Sequence, residues 1–172
     1  LKKINKRKKV LDLGCGTGII GIIVNKYQKN KHKIYASDVS EEAIKIAKKN
    51  FELHNCNYQL KQGSLFTPWK KQLFDVIIND VSGISEKIAK KSYWFKNVPC
   101  RSGFDGTELT KQIIVSAGKH LKKNGIIIFP IISLSNTKKV FKVLKKKFKE
   151  IKVLSNNYWF LPNDLSKQIN LL

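Results

Sequence analysis

The segment Val10-Leu-Asp-Leu-Gly-Cys-Gly-Thr-Gly18 sets an acid, Asp12, just ahead of glycines at alternate positions, Gly14, Gly16 and Gly18. Residues without a Cβ let a ligand approach the main chain, and a helix that begins after them offers free N–H groups. Further along, Asp38 closes a second apolar run, where a carboxylate accepts hydrogen bonds from both hydroxyls of a ribose. Asp12 and Asp38 together suit a nucleoside ligand with a cationic tail. Two cofactors compete for this pattern. Gly16-Thr-Gly18-Ile-Ile-Gly21 also satisfies G-x-G-x-x-G, with Asp38 at about the ~20-residue spacing at which a dinucleotide ribose is bound. A diphosphate gains nothing from Asp12, whereas the ammonium and sulfonium groups of S-adenosyl-L-methionine (AdoMet) do. The residues favour AdoMet and leave an NAD(P)-dependent oxidoreductase as the alternative.

The elements that must position these residues read as alternating strands and helices. Val10 to Leu13 is a short apolar run that ends at glycines, and Ile19, Ile20, Ile23, Val24 and Tyr27 recur at helical spacing. Lys33 to Val39 predicts a second strand, and Ser40 an N-cap, with Glu41 and Glu42 in the first turn and Ala43, Ile44, Ala47 and Phe51 on one apolar face. Tyr58 to Leu65 and Phe74 to Asn79 predict two more strands. A short helix is expected over Ile84 to Lys91. Leu109, Ile113, Ile114, Ala117 and Leu121 mark a longer helix closed by Asn124 and Gly125, and Gly125 to Ile132 a buried strand. Val140, Phe141, Leu144 and Phe148 form the inner face of a last helix whose lysines face away. Ile151 to Leu154 and Tyr158 to Leu161 flank Ser155-Asn-Asn157, a hairpin signal. The sum is an open, mostly parallel sheet with helices on both faces and one antiparallel strand at its close, in a single domain.

These motifs resemble the class I AdoMet-dependent methyltransferases, in particular the small-domain branch with the HemK-like protein glutamine methyltransferases and related RNA methylases. Val10 to Gly18 looks like the first motif of the family, Ala36-Ser-Asp-Val-Ser40 like its ribose-binding strand end, Gly63-Ser-Leu65 like its adenine-binding turn, and Phe74-Asp-Val-Ile-Ile-Asn79 like the strand leading to the catalytic loop. Gly103-Phe-Asp-Gly106 resembles the Gly/Asp-rich turn beyond that loop. The resemblance implies a Rossmann-like, seven-stranded mostly parallel sheet with a C-terminal antiparallel hairpin over residues 1–172. It implies a cofactor set of Asp12, Gly14, Cys15, Gly16, Gly18, Asp38, Val39, Ser64, Leu65 and Asn79, in which Ser64 and Leu65 hold the adenine. Asn79 and Asp80 are the implied catalytic residues, and the acceptor is a nitrogen of a release factor, a ribosomal protein or RNA.

Two departures from the family pattern bear on chemistry. The adenine turn has Ser64 where an aspartate is usual. The Asn-Pro-Pro-aromatic signature is here Asn79-Asp80-Val81-Ser82, without either proline or the stacking aromatic. Methyl transfer from a sulfonium is a direct displacement, so the protein must chiefly place the nucleophile in line, within about 3 to 3.5 Å, and strip its water. The Asn79 side-chain oxygen and the Asp80 carbonyl each suit one hydrogen of an attacking amine or amide. Tyr93, Trp94 and Phe95 are the local replacements for the lost aromatic, against a plainer reading as a lid on the sheet. Asp80 binds a cationic substrate or caps the short helix. A decayed loop on a fold that merely binds RNA is a further alternative.

Other residues invite less. His32, His54 and His120 lie among lysines with no ligand-spaced partners and read as surface residues, so no metal site is expected. Cys15 reads as a small filler, Cys100 beside Pro99 lacks a base, and Trp69 and Trp159 read as core or rim aromatics. Three cysteines without a CxxC pair argue against a disulfide framework and for a reducing cytoplasm. The formal charge is +22, yet of 34 basic residues only Arg7 and Arg101 are arginines, which points to dispersed lysines drawn non-specifically to RNA at low salt. Lys2 to Lys9 followed by an apolar stretch mimics a signal peptide, but Asp12 and the glycines interrupt it, and no run is long enough for a membrane span. The chain opens on Leu1, just ahead of its strongest motif, and an upstream segment is expected.

Overall fold

The computed structural model describes residues 8–29, 32–81, 83–95, 101–161 and 163–166. Leu1, Arg7, Ser82, Pro99, Cys100 and the side chain of Trp94 lie outside the described residues. Five strands form one parallel sheet in the order β3-β2-β1-β4-β5: β1 Lys9–Leu13, β2 Lys33–Asp38, β3 Tyr58–Gln62, β4 Phe74–Asn79 and β5 Leu121–Ile128. The chain steps outward from β1 to β2 and β3, then returns to the far side of β1 as β4. Open α/β sheets bind ligands at such a switch point, beyond the carboxyl ends of the strands. Leu13 is level with Ser37 of β2 and Asn79 of β4, so the segments after these strands leave the sheet at one level.

Strands β1, β2 and β4 are buried on both faces over most of their length, which is why they read as apolar runs rather than alternating ones. Helices α1 (Ile19–Tyr27) and α2 (Glu41–Leu53) pack beside them. The core joins Val10, Ile22, Ile34, Ala36, Ala47 and Phe51, and each large apolar side chain buried there contributes about 1.5–3 kcal/mol. As expected, Ser40 caps α2: its Oγ accepts from Ala43 N at 3.2 Å. The inner face of α1, in contrast, is not the one its isoleucines suggest. Ile19, Ile23 and Tyr27 are exposed, while Gly21, Ile22 and Asn25 are buried. Glycine decides this face, because a Cβ on Gly21 would stand 2.9 Å from Ile34 and 3.0 Å from Phe51.

The chain forms two compact units, Leu1–Val81 with Ser116–Pro130, and Ser82–Val115 with Ile131–Leu172. The first contains the sheet. The second is organised by the turn Gly103–Gly106. Gly103 N donates to Glu86 Oε1 at 2.9 Å, Asn136 N donates to the Asp105 carbonyl at 2.9 Å, and Lys139 Nζ pairs with Asp105 at 2.6 Å. Gly106 has φ 73°, and a Cβ there would lie 2.6 Å from Ser85 N, so this turn admits no larger residue. Short α3 (Glu86–Ala89), α4 (Glu108–Ala117), α5 (Thr137–Lys147) and α6 (Asn163–Ser166) complete the described α-helices, and Thr67–Trp69 and Tyr93–Phe95 form single 3-10 turns. Helix α5 buries Val140 and Leu144 and turns its lysines outward, as its pattern predicts.

Several expectations need correction. The sheet has five strands rather than seven, and no antiparallel hairpin is present among the described residues. Residues 151–160 form no ladder pairing and are exposed, with Tyr158, Trp159 and Phe160 at 94%, 83% and 103%. Alternation and a turn signal do not make a hairpin without a sheet or helix to bury its apolar side. The long helix ends at Ala117, not at Asn124-Gly125, and the strand begins at Leu121 and ends at Ile128. Leu121 pairs with Phe74 and Ile126 with Val76, so Lys122 to Gly125 form a bulge within β5, with Asn124 at φ 64°. The expected helix over residues 84–91 shrinks to Glu86–Ala89. His32 is buried, at 2%: its Nδ1 accepts from Lys8 N at 3.3 Å and its carbonyl from Asn25 Nδ2 at 3.0 Å.

Candidate active site

The turn after β1 gives its glycines three different tasks. Gly14 (φ 74°) lies under the loop that follows β4, where a Cβ would meet Val81 Cγ2 at 2.8 Å. Gly18 (φ 81°) opens α1, where a Cβ would meet the Phe51 ring at 3.0 Å. Gly16 (φ 51°) faces open space, with nothing within 4 Å of a built Cβ. Two glycines therefore serve packing, and Gly16 alone leaves room for a ligand against the main chain. The loop is tied to β2: Gly14 N and Cys15 N both donate to the Ser37 carbonyl, at 2.8 and 3.0 Å, and Gly16 N donates to Asp38 Oδ2 at 2.9 Å.

Asp12 is fully buried and divided in its duties. Oδ2 accepts from Gly21 N at 3.0 Å, capping α1 from the strand where the N-cap residue Gly18 has no side chain to do so. Oδ1 has no hydrogen-bond partner. A buried polar atom without a partner is costly unless a ligand supplies one. Burial pushes the Asp12 carboxyl up to about 7, against the Gly21 hydrogen bond, and the charges of Asp80 and Asp38 push in the same direction. A cation at Oδ1 reverses that penalty. The dinucleotide alternative meets the opposite condition, since a diphosphate beside this carboxylate would add a second negative charge.

Asp38 holds Gly16 N with one oxygen and Ser40 N with the other, at 2.9 Å each. An ionised carboxylate has about four lone-pair sites, so a pair of ribose hydroxyls still finds acceptors there. Val39 beside it exposes an apolar side chain, at 55%. Gly63 N donates to the Asp38 carbonyl at 2.8 Å, which brings the turn with Ser64 and Leu65 to the same edge. Leu65 adopts φ 47°, uncommon for a branched residue. The Ser64 carbonyl already accepts from Thr67 N and Oγ1, at 3.0 and 2.7 Å. Beneath, Trp69 is buried and donates Nε1–H to Ser37 Oγ at 2.9 Å, as a core aromatic should.

Across the switch point stand Asn79 and Asp80. Asn79 is 2% exposed, and its Oδ1 accepts from Val81 N at 3.3 Å, a long bond that holds the loop on itself. Asp80 is exposed, and partial desolvation still raises its carboxyl. The structure thus brings Asp12, Gly14, Gly16, Asp38, Asn79 and Asp80 to one sheet edge. Cys15 is buried, and its thiol is pushed up by burial first and by Asp12 and Asp38 next, so it is no thiolate and serves as filler. Sequence reading missed the role of Gly21, whose N–H fixes the Asp12 carboxylate. His120 stacks flat on Phe66 at 4.5 Å, a structural contact. Among the described residues no group of His, Cys, Asp or Glu is arranged to hold a metal.

Comparisons with known proteins identify the family and the fold. A family model described as a methyltransferase domain matches residues 4–169. The chain is 32% identical over 140 residues to the putative protein N5-glutamine methyltransferase of Methanocaldococcus jannaschii, covering 81% of this chain and 70% of that protein. It is 30% identical over 133 residues to the release factor glutamine methyltransferase of Thermodesulfovibrio yellowstonii, 74% of this chain and 47% of that enzyme, so it spans less than half of that relative. The ribosomal protein L11 methylase of Lactobacillus delbrueckii subsp. bulgaricus shares the fold, with a TM-score of 0.59 at 23% identity over 83% of this chain and 60% of that one. The sheet order, the glycine turn with its buried acid and the match over nearly the whole length lead to one conclusion: this chain belongs to the methyltransferase domain family.

Proposed function

We propose that this chain is an AdoMet-dependent methyltransferase that acts on a nitrogen of a macromolecule of the translation apparatus. The observation that carries the reading is the pairing of a fully buried, half-satisfied Asp12 carboxylate with the open cradle over Gly16. When bound, AdoMet supplies a methyl group on a positively charged sulfur. Asp12 Oδ1 and the Gly14-to-Gly18 main chain would hold its methionine end. Asp38 would take the ribose hydroxyls, with Val39 alongside, and Ser64 and Leu65 would border the adenine. Asn79 Oδ1 and the Asp80 carbonyl would orient the acceptor nitrogen at the switch point, and to do so Asn79 must exchange its long bond to Val81 N for one from the substrate.

The named relatives act on release factors and on protein glutamine, which supports a substrate of that class. The match over residues 4–169 supports one methyltransferase domain. The charge of +22 supports attraction to ribosomal particles, with non-specific RNA affinity that falls steeply as salt rises. Among the described residues no helix is long and apolar enough to cross a membrane, and both described cysteines are free thiols, which fits a cytoplasmic enzyme.

Calorimetric titration with S-adenosylhomocysteine (AdoHcy) and with NAD tests the cofactor assignment. Binding of AdoHcy and not NAD is expected; the reverse would overturn it. Labelled AdoMet incubated with ribosomal and release-factor fractions then tests transfer, which is expected to fall sharply in Asn79→Ala.

A further inference from the structure

Helices α2 and α5 solvate their exteriors in different ways. Helix α2 balances three glutamates with three lysines over 13 residues, puts Glu41 and Glu42 in its first turn, and pairs Lys45 with Glu41 and Lys48 with Glu52. In α5, six of 11 residues are lysine and none is acidic. A composition bias toward lysine would act on both helices alike and does not explain the difference.

The one-sign face works against the helix that bears it. Lys138 and Lys139 stand in the first turn of α5, where the helix dipole disfavours cations and no acid accompanies them. Lys142 lies four residues from both Lys138 and Lys146, a spacing at which like charges repel. Asp105 answers Lys139, at 2.6 Å. Among the described residues no ion pair engages Lys138, Lys142, Lys145, Lys146 or Lys147. Because Val140 and Leu144 are buried, Lys138, Lys142 and Lys145 fall in one outward row that runs about 10 Å along the axis. Among the described residues, Thr137, Lys138, Phe141, Lys142 and Lys145 line an open concavity of about 380 Å³. The chain that leaves this helix, within the same compact unit, then exposes three consecutive aromatics, Tyr158, Trp159 and Phe160.

We propose that the lysine row of α5 and the aromatic segment 158–160 bind single-stranded RNA, its phosphates on lysine and its bases stacked on the rings, irrespective of sequence. The choice of RNA among single-stranded polyanions rests on the translation-apparatus reading above; the surface itself does not depend on methyl transfer.

Each component narrows the partner. Lysine ammoniums are point charges that meet a phosphate without a fixed fork, so they attract a backbone and read no base. A polyanion in the row offsets both the repulsion along it and the unfavourable first turn. Exposed rings stack on the faces of unpaired bases, which a duplex keeps covered and an acidic protein lacks. An anionic membrane would instead call for the apolar face of α5, and Val140 and Leu144 keep that face buried.

The test follows the fluorescence anisotropy of a labelled uridylate dodecamer with the full chain, without AdoMet, from about 50 to about 200 mM KCl. Lys142→Ala combined with Lys145→Ala is expected to weaken binding about tenfold. It should also lower the slope of log K against log salt by about 1.4, two phosphate contacts at about 0.7 each. Trp159→Ala should weaken binding about tenfold at an unchanged slope. The control pair Lys49→Ala with Lys70→Ala, exposed in the other compact unit, removes the same charge and should change affinity less than about twofold. Unfolding midpoints in urea show that the exposed substitutions leave the fold intact. An unchanged slope in the α5 pair, undiminished binding in Trp159→Ala, or tighter binding to an RNA duplex, to oligoglutamate or to phosphatidylserine vesicles would each overturn the proposal. Equal losses in the two lysine pairs would remove the surface and leave the net-charge attraction standing, whereas no binding even at low salt would remove both. Failure of the cofactor reading is a separate outcome, seen as a chain that does not bind AdoHcy.

Discussion

The two sides of the site are built to different standards. On the β1–β2 side, the glycine turn and Asp38 are cross-tied by main-chain bonds: Gly14 N, Cys15 N and Gly16 N reach across to Ser37 and Asp38, and Gly21 N holds Asp12. On the β4 side, Asn79-Asp80-Val81 has one internal bond of 3.3 Å and a packing contact of Val81 over Gly14. A site that must hold the same cofactor in every turnover profits from preorganisation. A site that must admit a macromolecule profits from side chains that can release their present partners. The loose side is also where this chain lacks both prolines and the aromatic of the Asn-Pro-Pro-aromatic signature.

Substitutions can break this contrast. The largest effect is expected from Asn79→Ala, which should lower the transfer rate by about 100-fold, as loss of a single positioned polar group does. Because the Val81 bond is long, it should cost about 1 kcal/mol of stability or less by denaturant titration. Similar losses of rate and stability would mean that Asn79 is structural. Gly14→Ala should act the other way round and destabilise by about 2–3 kcal/mol, since its φ is positive and its Cβ would overlap Val81. Adding Val81→Ala should recover part of that loss. Asp12→Asn should weaken AdoHcy binding by about 30-fold, at the middle of the range for a hydrogen bond to a charged group. Gly16→Ala meets no neighbour and should cost about 1 kcal/mol of stability from its positive φ, with about tenfold weaker AdoHcy binding from the filled cradle.

The smallest and most diagnostic effect is in pH. The folded chain keeps the Asp12 proton up to about 7, whereas the unfolded chain releases it in the ordinary carboxylate range, from 3.8. Folding therefore takes up a proton between these values, and the Asp12 contribution to stability falls as pH rises through that window, complete above about 7. AdoHcy affinity should move oppositely, rising with pH as Asp12 ionises. Both slopes should vanish in Asp12→Asn, measured by denaturant titration and calorimetry between pH 5 and 8.

Much of the rigid side could be read in order along the chain. The Asp12 and glycine spacing, the Ser40 cap and the acid at the end of β2 are local patterns within a few residues of one another, and short-range geometry obeys them wherever they fold. The inner face of α1 was hidden, because periodicity counts isoleucines and overlooks a glycine that packs by having no side chain. The bulge in β5 was hidden too: Asn124-Gly125 looks the same as a helix stop or as a turn inside a strand, and only the pairing of Leu121 with Phe74 distinguishes them.

What the amino-acid order alone determined is the class of sheet, the glycine turn and the acids that flank it, because each is written as a short pattern of residue types along the chain. Which oxygen of Asp12 is left without a partner, which glycine faces open space and which lies under Val81, and whether residues 151–160 find a sheet were decided only in three dimensions. Those outcomes turn on atoms brought together from distant strands, and a linear pattern carries no record of the gap between them.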